Sequence, residues 1–312
     1  MKFRLSALTL SMILSCAGPF AIAQSATITV SQSGTGNTGA AEQSGVEPST
    51  SATITQVGTN NHVGGPGGTT AGIVQSNGNG IVQVSQTGSN NNVGIVQDSL
   101  EAIPSIADIV QAGNANSAVT HQSFDSGIDI HVRQNGSGNA TNISQGGEDS
   151  VIRVTQNGTN NDATVVGDGT TRLGQAIEQN GDGNTVTATA INADSNNADY
   201  TITQTGAHNN AIANQTRSSF SLLSIQQLGA GNQSDITQTG DLQSGTINQN
   251  GSGNLASINQ AGFASAEPRL GNTALITQAG NNNNATIRQA GDAFTATVSQ
   301  IGAGNYANVY QH

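Results

Sequence analysis

Residues 274–311 read Ala274-Leu-Ile-Thr-Gln278-Ala-Gly280-Asn-Asn-Asn283-Asn-Ala285-Thr-Ile287-Arg-Gln289-Ala-Gly-Asp-Ala-Phe-Thr-Ala-Thr-Val-Ser-Gln300-Ile-Gly302-Ala-Gly-Asn305-Tyr-Ala-Asn-Val-Tyr-Gln311. Glutamine returns every eleven residues, at Gln278, Gln289, Gln300 and Gln311. Gly stands two residues after the Gln, Asn five, Ala seven, and Ile or Val nine; Gln278, Gly280, Asn283, Ala285, Ile287 and Gln289 fill every slot. Alternate residues of a strand share a face. Slots five, seven, nine and eleven therefore put Asn, Ala, Ile or Val, and Gln on one side, with Thr, Ser, Asn and Arg on the other. The parity changes between slots two and five, where a Gly supplies the backbone freedom an arc needs. Strand, arc, strand, arc closes one turn in roughly 22 residues. The fold class implied is all-β, a β-solenoid, in which stacking lays Gln on Gln and Asn on Asn as inward amide ladders beside the backbone hydrogen bonds.

Working outward, the motif Gln-x-Gly-x-x-Asn starts at Gln32, Gln56, Gln86, Gln111, Gln134, Gln156, Gln179, Gln204, Gln227, Gln249, Gln278 and Gln300. Successive starts are separated by 22 to 30 residues, with a looser second half in each interval. The pairs Gln134 and Asn139, Gln227 and Asn232, and Gln249 and Asn254 are upstream equivalents of Gln278 and Asn283. Longer intervals place loop insertions near 62–72, where Gly64-Gly-Pro66-Gly-Gly68 cannot continue a ladder, near 98–108 around Pro104, and near 263–271 around Pro268. No composition shift marks a second domain. Residues 24–312 read as one solenoid, about 13 turns at roughly 22 residues each.

The first 23 residues read as a signal peptide: Lys2 and Arg4 form a basic segment, Leu5 to Ser15 an apolar one, and Ala21-Ile22-Ala23 a small-residue cleavage site. Ile13-Leu14-Ser15-Cys16 offers lipidation at Cys16 as the alternative. No later stretch approaches the roughly 20 apolar residues of a membrane helix. Cleavage after Ala23 removes the only Cys and the only Lys, leaving 6 basic residues against 19 acidic ones. A secreted chain without disulfides needs another source of stability. Its 3% aromatic and 9% charged residues suit neither an ordinary globular core nor its usual surface. Laddered amides and dense backbone pairing need little apolar volume, so the repeat overrides the disorder that polar composition alone would suggest.

Composition also bears on chemistry. His62, His121, His131, His208 and His312 are dispersed without ligand spacing, so no metal site is expected. Six scattered Arg residues without Lys suit neither a polysaccharide lyase nor nucleic-acid binding. No catalytic constellation and no cofactor motif is present, and the chain is not expected to be an enzyme. Acidic residues gather in the looser halves, as at Asp125 and Asp129, Glu148 and Asp149, Asp194 and Asp199. They are either brakes on premature pairing or tolerated surface charges.

The unit Gln-x-Gly-x-x-Asn-x-Ala-x-x-x-Gln resembles the curlin repeat of curli, the bacterial amyloid fibres, over essentially the whole chain after the signal. Residues 300–312 are similar to the last repeat of a curli subunit. The resemblance implies a secreted, self-assembling structural subunit of an extracellular, fimbrium-like fibre used in biofilm matrix, adhesion and cell aggregation. It implies that the partners are further copies of the chain, a nucleating subunit and an outer-membrane secretion apparatus. The assembly ladder it implies comprises Gln278, Gly280, Asn283, Ala285, Ile287, Gln289, Gln300, Gly302, Asn305 and Gln311, with Gln134, Asn139, Gln227, Asn232, Gln249 and Asn254 upstream. The chain departs from curli subunits in having more repeats. It also runs from Gln24-Ser25 straight into Ala-Thr-Ile-Thr, where they carry an export leader.

Self-assembly also follows from the pattern itself. A monomeric solenoid must cap two open edges, and here the last turn keeps its pattern to Gln311 with no Pro or charged turn after it. A nucleator role shares the same repeat. A monomeric ice- or surface-binding solenoid is a further alternative: Thr27-Ile-Thr29, Thr53-Ile-Thr55 and Thr201-Ile-Thr203 would form an outer threonine array, interrupted by His131 and Arg133.

Overall fold

Strict two-residue alternation, β-branched Ile and Val at the inward slots, and Asn and Gly at the arcs favour strands and disfavour helix. The structure, a computed structural model describing residues 8–12, 26–64, 72–99, 103–191, 199–262 and 270–312, is all-β and forms a β-solenoid of about 11 turns. Among the described residues no helix is long and apolar enough to cross a membrane. The chain divides into two compact units, Met1–Glu148 and Asp149–His312.

In the first unit, Thr27–Thr35, Ser51–Thr59, Gly80–Ser89, Ser105–Asn114 and Asp129–Ser137 lie side by side as parallel strands, with Gln32, Gln56, Gln86, Gln111 and Gln134 in one register column. The intervening segments form the facing sheet, which includes Ile73–Gly78, Asn92–Ser99, Ser117–Ser126 and Ala140–Glu148. In the second unit, seven strands from Val151–Thr159 to Thr295–Ala303 form one parallel sheet. The seven from Asp162–Thr171 to Tyr306–Gln311 form the other. Consecutive strands alternate between sheets, so each parallel pair joins residues one turn apart, as strand-arc-strand-arc requires.

The expected faces are the observed ones. Asn283, Ala285, Ile287 and Gln289 are buried, Thr286 is half-buried and Arg288 exposed. Both strict arcs and their packing depend on Gly. Gly280 has φ 114°, and a Cβ built there would lie 2.0 Å from the carbonyl oxygen of Gly302 on the next turn. Two residues beyond that Gly, the arc needs a second left-handed residue. Asn60, Asn90 and Asn282 supply it with φ between 53° and 57°, and so do Ala115 and His208, where no Gly or Asn announces it.

About 11 turns form where about 13 were expected from roughly 22 residues per turn. The physical reason is that residues inserted in the looser halves lengthen the chain without adding a rung. The expected insertions near 62–72 and 263–271 centre on residues outside the described set, whereas near 98–108 only residues 100–102 lie outside it, and the exposed Ile103 leads back into the strand Ser105–Asn114. Their flanks show how the first is accommodated: His62–Val63 and Ile73–Gly78 both pair with Asn92–Ser99, at His62↔Asn92 and Ile73↔Ile95. The insertion therefore splits one strand while leaving its register intact. Of the expected signal peptide, only Leu8–Met12 is described; it pairs antiparallel with Ile28–Gln32.

Candidate self-assembly ladder

The inward amides form hydrogen-bonded columns within each unit. In the first, Gln32 Nε2 donates to Gln56 Oε1 at 2.6 Å, Gln56 to Gln86 at 2.8 Å, Gln86 to Gln111 at 2.9 Å and Gln111 to Gln134 at 2.7 Å. In the second, Gln227 donates to Gln249, Gln249 to Gln278 and Gln278 to Gln300, at 2.8 to 2.9 Å. The facing sheet repeats the arrangement: Gln260 donates to Gln289 at 2.9 Å and Gln289 to Gln311 at 2.8 Å.

The backbone fixes the sense of each column. Gln278 Nε2 also donates to the Leu255 carbonyl at 2.9 Å, and Gln56 Nε2 to those of Thr38 and Asn61. The nitrogen must therefore face those carbonyls, and the Gln columns donate toward the C-terminus. The Asn columns run the other way. Asn254 Nδ2 donates to Asn232 Oδ1 at 3.0 Å and Asn283 Nδ2 to Asn254 Oδ1 at 3.1 Å. Each Asn Oδ1 also accepts the backbone N–H of the next Asn, as Asn254 does from Asn283 at 3.1 Å, while Asn254 Nδ2 reaches the Gly280 carbonyl at 2.8 Å. In the first unit Asn139 donates to Asn116 Oδ1 in the same sense. One Asn thus satisfies buried polar groups on the turns before and after it.

The facing Gln column has a gap in the second unit. Eleven residues after Gln156 and Gln179 stand Gly167 and Ala190, paired in register with one another. The lost volume is restored from the next strand, where slots that elsewhere hold Ala52, Ala107 or Ala274 hold Gln175 and Tyr200. Tyr200 is the largest fully buried side chain among the described residues, and its hydroxyl donates to the Thr189 carbonyl at 2.8 Å. Burial raises its pKa well above the usual phenol range. The sequence carried the signal, a missing Gln opposite an oversized Ala slot, but periodicity alone does not reveal that the two compensate.

Charge sits outside the ladder. Asp108 Oδ2 lies 3.5 Å from His131 Nδ1 and 3.6 Å from Arg133, and Arg172 lies 3.9 Å from Asp149; such partly exposed pairs contribute little. Asp194 and the side chain of Asp125 lie outside the described residues. Burial raises the pKa of Asp162, and that of Asp235 despite the opposing Thr237 hydroxyl. Because folding favours the protonated form of Asp235, its contribution to stability is full below the unfolded pKa and is lost as pH rises through the folded value. Asp235→Asn should therefore raise the denaturation midpoint more at neutral pH than at pH near 3, below the ordinary carboxylate pKa of about 4. Equal shifts at both pH values would contradict this. No group of three or more His, Cys, Asp or Glu that could hold a metal occurs among the described residues.

Residues 271–291 and 280–312 match the curlin associated repeat family. Residues 271–312 carry the curlin repeat. The matched span holds the last two rungs, where Gln278, Asn283, Gln289, Gln300, Asn305 and Gln311 all stand in the inward columns. Upstream, Gln134, Gln227 and Gln249 and their Asn partners occupy the equivalent slots of the chain's own repeating unit, with the same hydrogen bonds. No curated protein matches the chain. The curlin repeat and the solenoid are structural rather than enzymatic features.

Proposed function

We propose that the protein is a secreted subunit that polymerises end to end into a curli-like extracellular fibre, with self-association as its activity. The observation that carries this reading is the one-way sense of the inward amide columns. Among the described residues nothing pairs with the outer edges of Thr295–Ala303 and Tyr306–Gln311. On the preceding rung, the Thr273 N–H donates to the Phe294 carbonyl and the Asn284 N–H to that of Asn305. By the alternation of a parallel ladder, the N–H groups of Thr295, Thr297, Ser299, Tyr306, Asn308 and Tyr310 point outward. An unpaired edge of this kind is a template for another strand.

The sense of the amide columns supports pairing of the last rung with the first. At the last rung Gln300 and Gln311 present Nε2 donors and Asn305 an Oδ1 acceptor. At the first rung Gln32 and Gln43 present Oε1 acceptors, and Asn37 its backbone N–H. Last rung on first rung matches donor to acceptor in every column, whereas like ends together would oppose donor to donor or acceptor to acceptor. Release of residues 1–23 by signal cleavage would uncover the Thr27–Thr35 edge, on which Leu8–Met12 lies. A nucleating subunit and an outer-membrane secretion apparatus are the further partners this reading implies, with biofilm matrix and adhesion as the setting.

The test is to incubate purified residues 24–312 and follow thioflavin fluorescence and microscopy. Fibres that seed fresh monomer are expected; a chain that stays monomeric at high concentration would overturn the reading.

A further inference from the structure

Six Asn-Gly dipeptides occur in the chain, beginning at Asn77, Asn79, Asn135, Asn157, Asn180 and Asn250. In the last four, Asn fills the variable slot between the ladder Gln and the arc Gly. Asn-Gly is the dipeptide most open to cyclisation, because Gly has no side chain to hinder its nitrogen. The Gly nitrogen attacks the Asn side-chain carbon, the side-chain nitrogen leaves as ammonia, and a five-membered succinimide forms. Water then opens the ring at either carbonyl, giving Asp or isoaspartate. No oxidant or reductant is involved.

We propose that Asn135, Asn157, Asn180 and Asn250 are self-modification sites of the unpaired chain, and that pairing into the solenoid shuts the reaction off. Cyclisation requires the Gly nitrogen to swing onto its neighbour's side chain. In the folded chain Gly181 is held between strands on both sides, in register with Gly158 and Gly206. Its arc, with φ of 126°, packs so closely on the next turn that a Cβ there would lie 1.9 Å from the Gly206 carbonyl oxygen. The side chains are tied as well: Asn157 Nδ2 donates to Asn180 Oδ1 at 2.9 Å, and Asn180 Nδ2 donates to Glu178 Oε1 at 2.8 Å. Gly136 and Gly251 share the same arc conformation, with φ of 124° and 132°.

The product does not fit the column it came from. A carboxylate at residue 180 replaces a donor to Glu178 with a like charge beside it, and like charges on neighbouring strand positions are destabilising. Isoaspartate adds a methylene to the main chain and takes the strand out of register with both neighbours. Modification before folding therefore opposes folding, and folding opposes modification. Time spent unpaired sets the share of chains that can still join the ladder.

The test uses the full chain in mildly alkaline buffer, native and in guanidinium, with peptide mapping by mass at each Asn. Native structure should slow conversion at the four sites at least about tenfold, the factor that a local opening cost of about 1.4 kcal/mol imposes. Asn160, which precedes Asn161 rather than Gly, should convert slowly in both conditions. Equal rates at the four sites in native and unfolded chain would overturn the proposal. In guanidinium, Asn157→Gln with Asn180→Gln should abolish the signal at those two positions, because the longer side chain cannot close the five-membered ring. Persistence of the signal there would also overturn it. Fibre formation is not read, so the outcome is independent of the assembly reading.

Discussion

Gly251→Ala should unfold or severely destabilise the protein, whereas Gly302→Ala should leave the isolated chain folded. Both residues sit in the same arc slot with positive φ, at 132° and 108°. Both substitutions therefore incur left-handed strain of about 1 to 3 kcal/mol. They differ in what the new methyl group meets. At Gly251 it would lie 1.9 Å from the Gly280 carbonyl oxygen and 2.7 Å from its carbon. Backbone on the next turn cannot yield without breaking the ladder, and overpacking of this kind adds about 1 to 3 kcal/mol. At Gly302 the nearest atom is Asn305 Nδ2 at 3.6 Å. Denaturant midpoints of the two variants should differ by the contact alone. Equal losses would mean that conformational strain, not rung-on-rung contact, confines this slot to Gly.

The second large effect is expected from the Asn column. Asn254→Ala removes an amide that serves two turns at once. The Gly280 carbonyl loses its 2.8 Å donor, and the Asn283 N–H and Nδ2 each lose a 3.1 Å acceptor. Each buried group left unsatisfied costs about 1 to 3 kcal/mol. Asn259→Ala, on the exposed face of the short strand Leu255–Ala261 that follows Asn254, should stay within about 0.5 kcal/mol of the parent. Chemical denaturation of the two variants checks this directly. If Asn259→Ala were the more damaging, the strand would face the other way.

How much of this was legible beforehand follows from what the repeat encodes. An eleven-residue period with fixed parity is a local property, so the strands, their faces and the inward Asn, Ala, Ile and Gln could be read from residues 274–311. The sense of the amide columns could not. It is set by carbonyls such as those of Leu255 and Gly280, which reach the amides only after neighbouring turns stack. Ala115 and His208 hide the left-handed arc residue because the ladder imposes a conformation their side chains do not favour. The exchange of Gln for Gly167 and Ala190 against Gln175 and Tyr200 conserves volume between strands of opposite sheets. That constraint acts across the core and leaves no trace in the period. The turn count was overestimated for a related reason: inserted residues count toward length but not toward rungs.

End-to-end growth is tested most directly at the outward N–H groups of the last rung. Thr297→Pro with Asn308→Pro removes two donors that point away from the subunit, and proline is tolerated on an edge strand when its missing N–H faces solvent. The monomer should therefore keep the parent's denaturation midpoint. Elongation of preformed seeds by the double variant should fall at least about tenfold, since each lost hydrogen bond is worth about 0.5 to 1.5 kcal/mol and the carbonyl left facing it costs more. A folded double variant that elongates seeds at the parent rate would contradict end-to-end pairing through this rung.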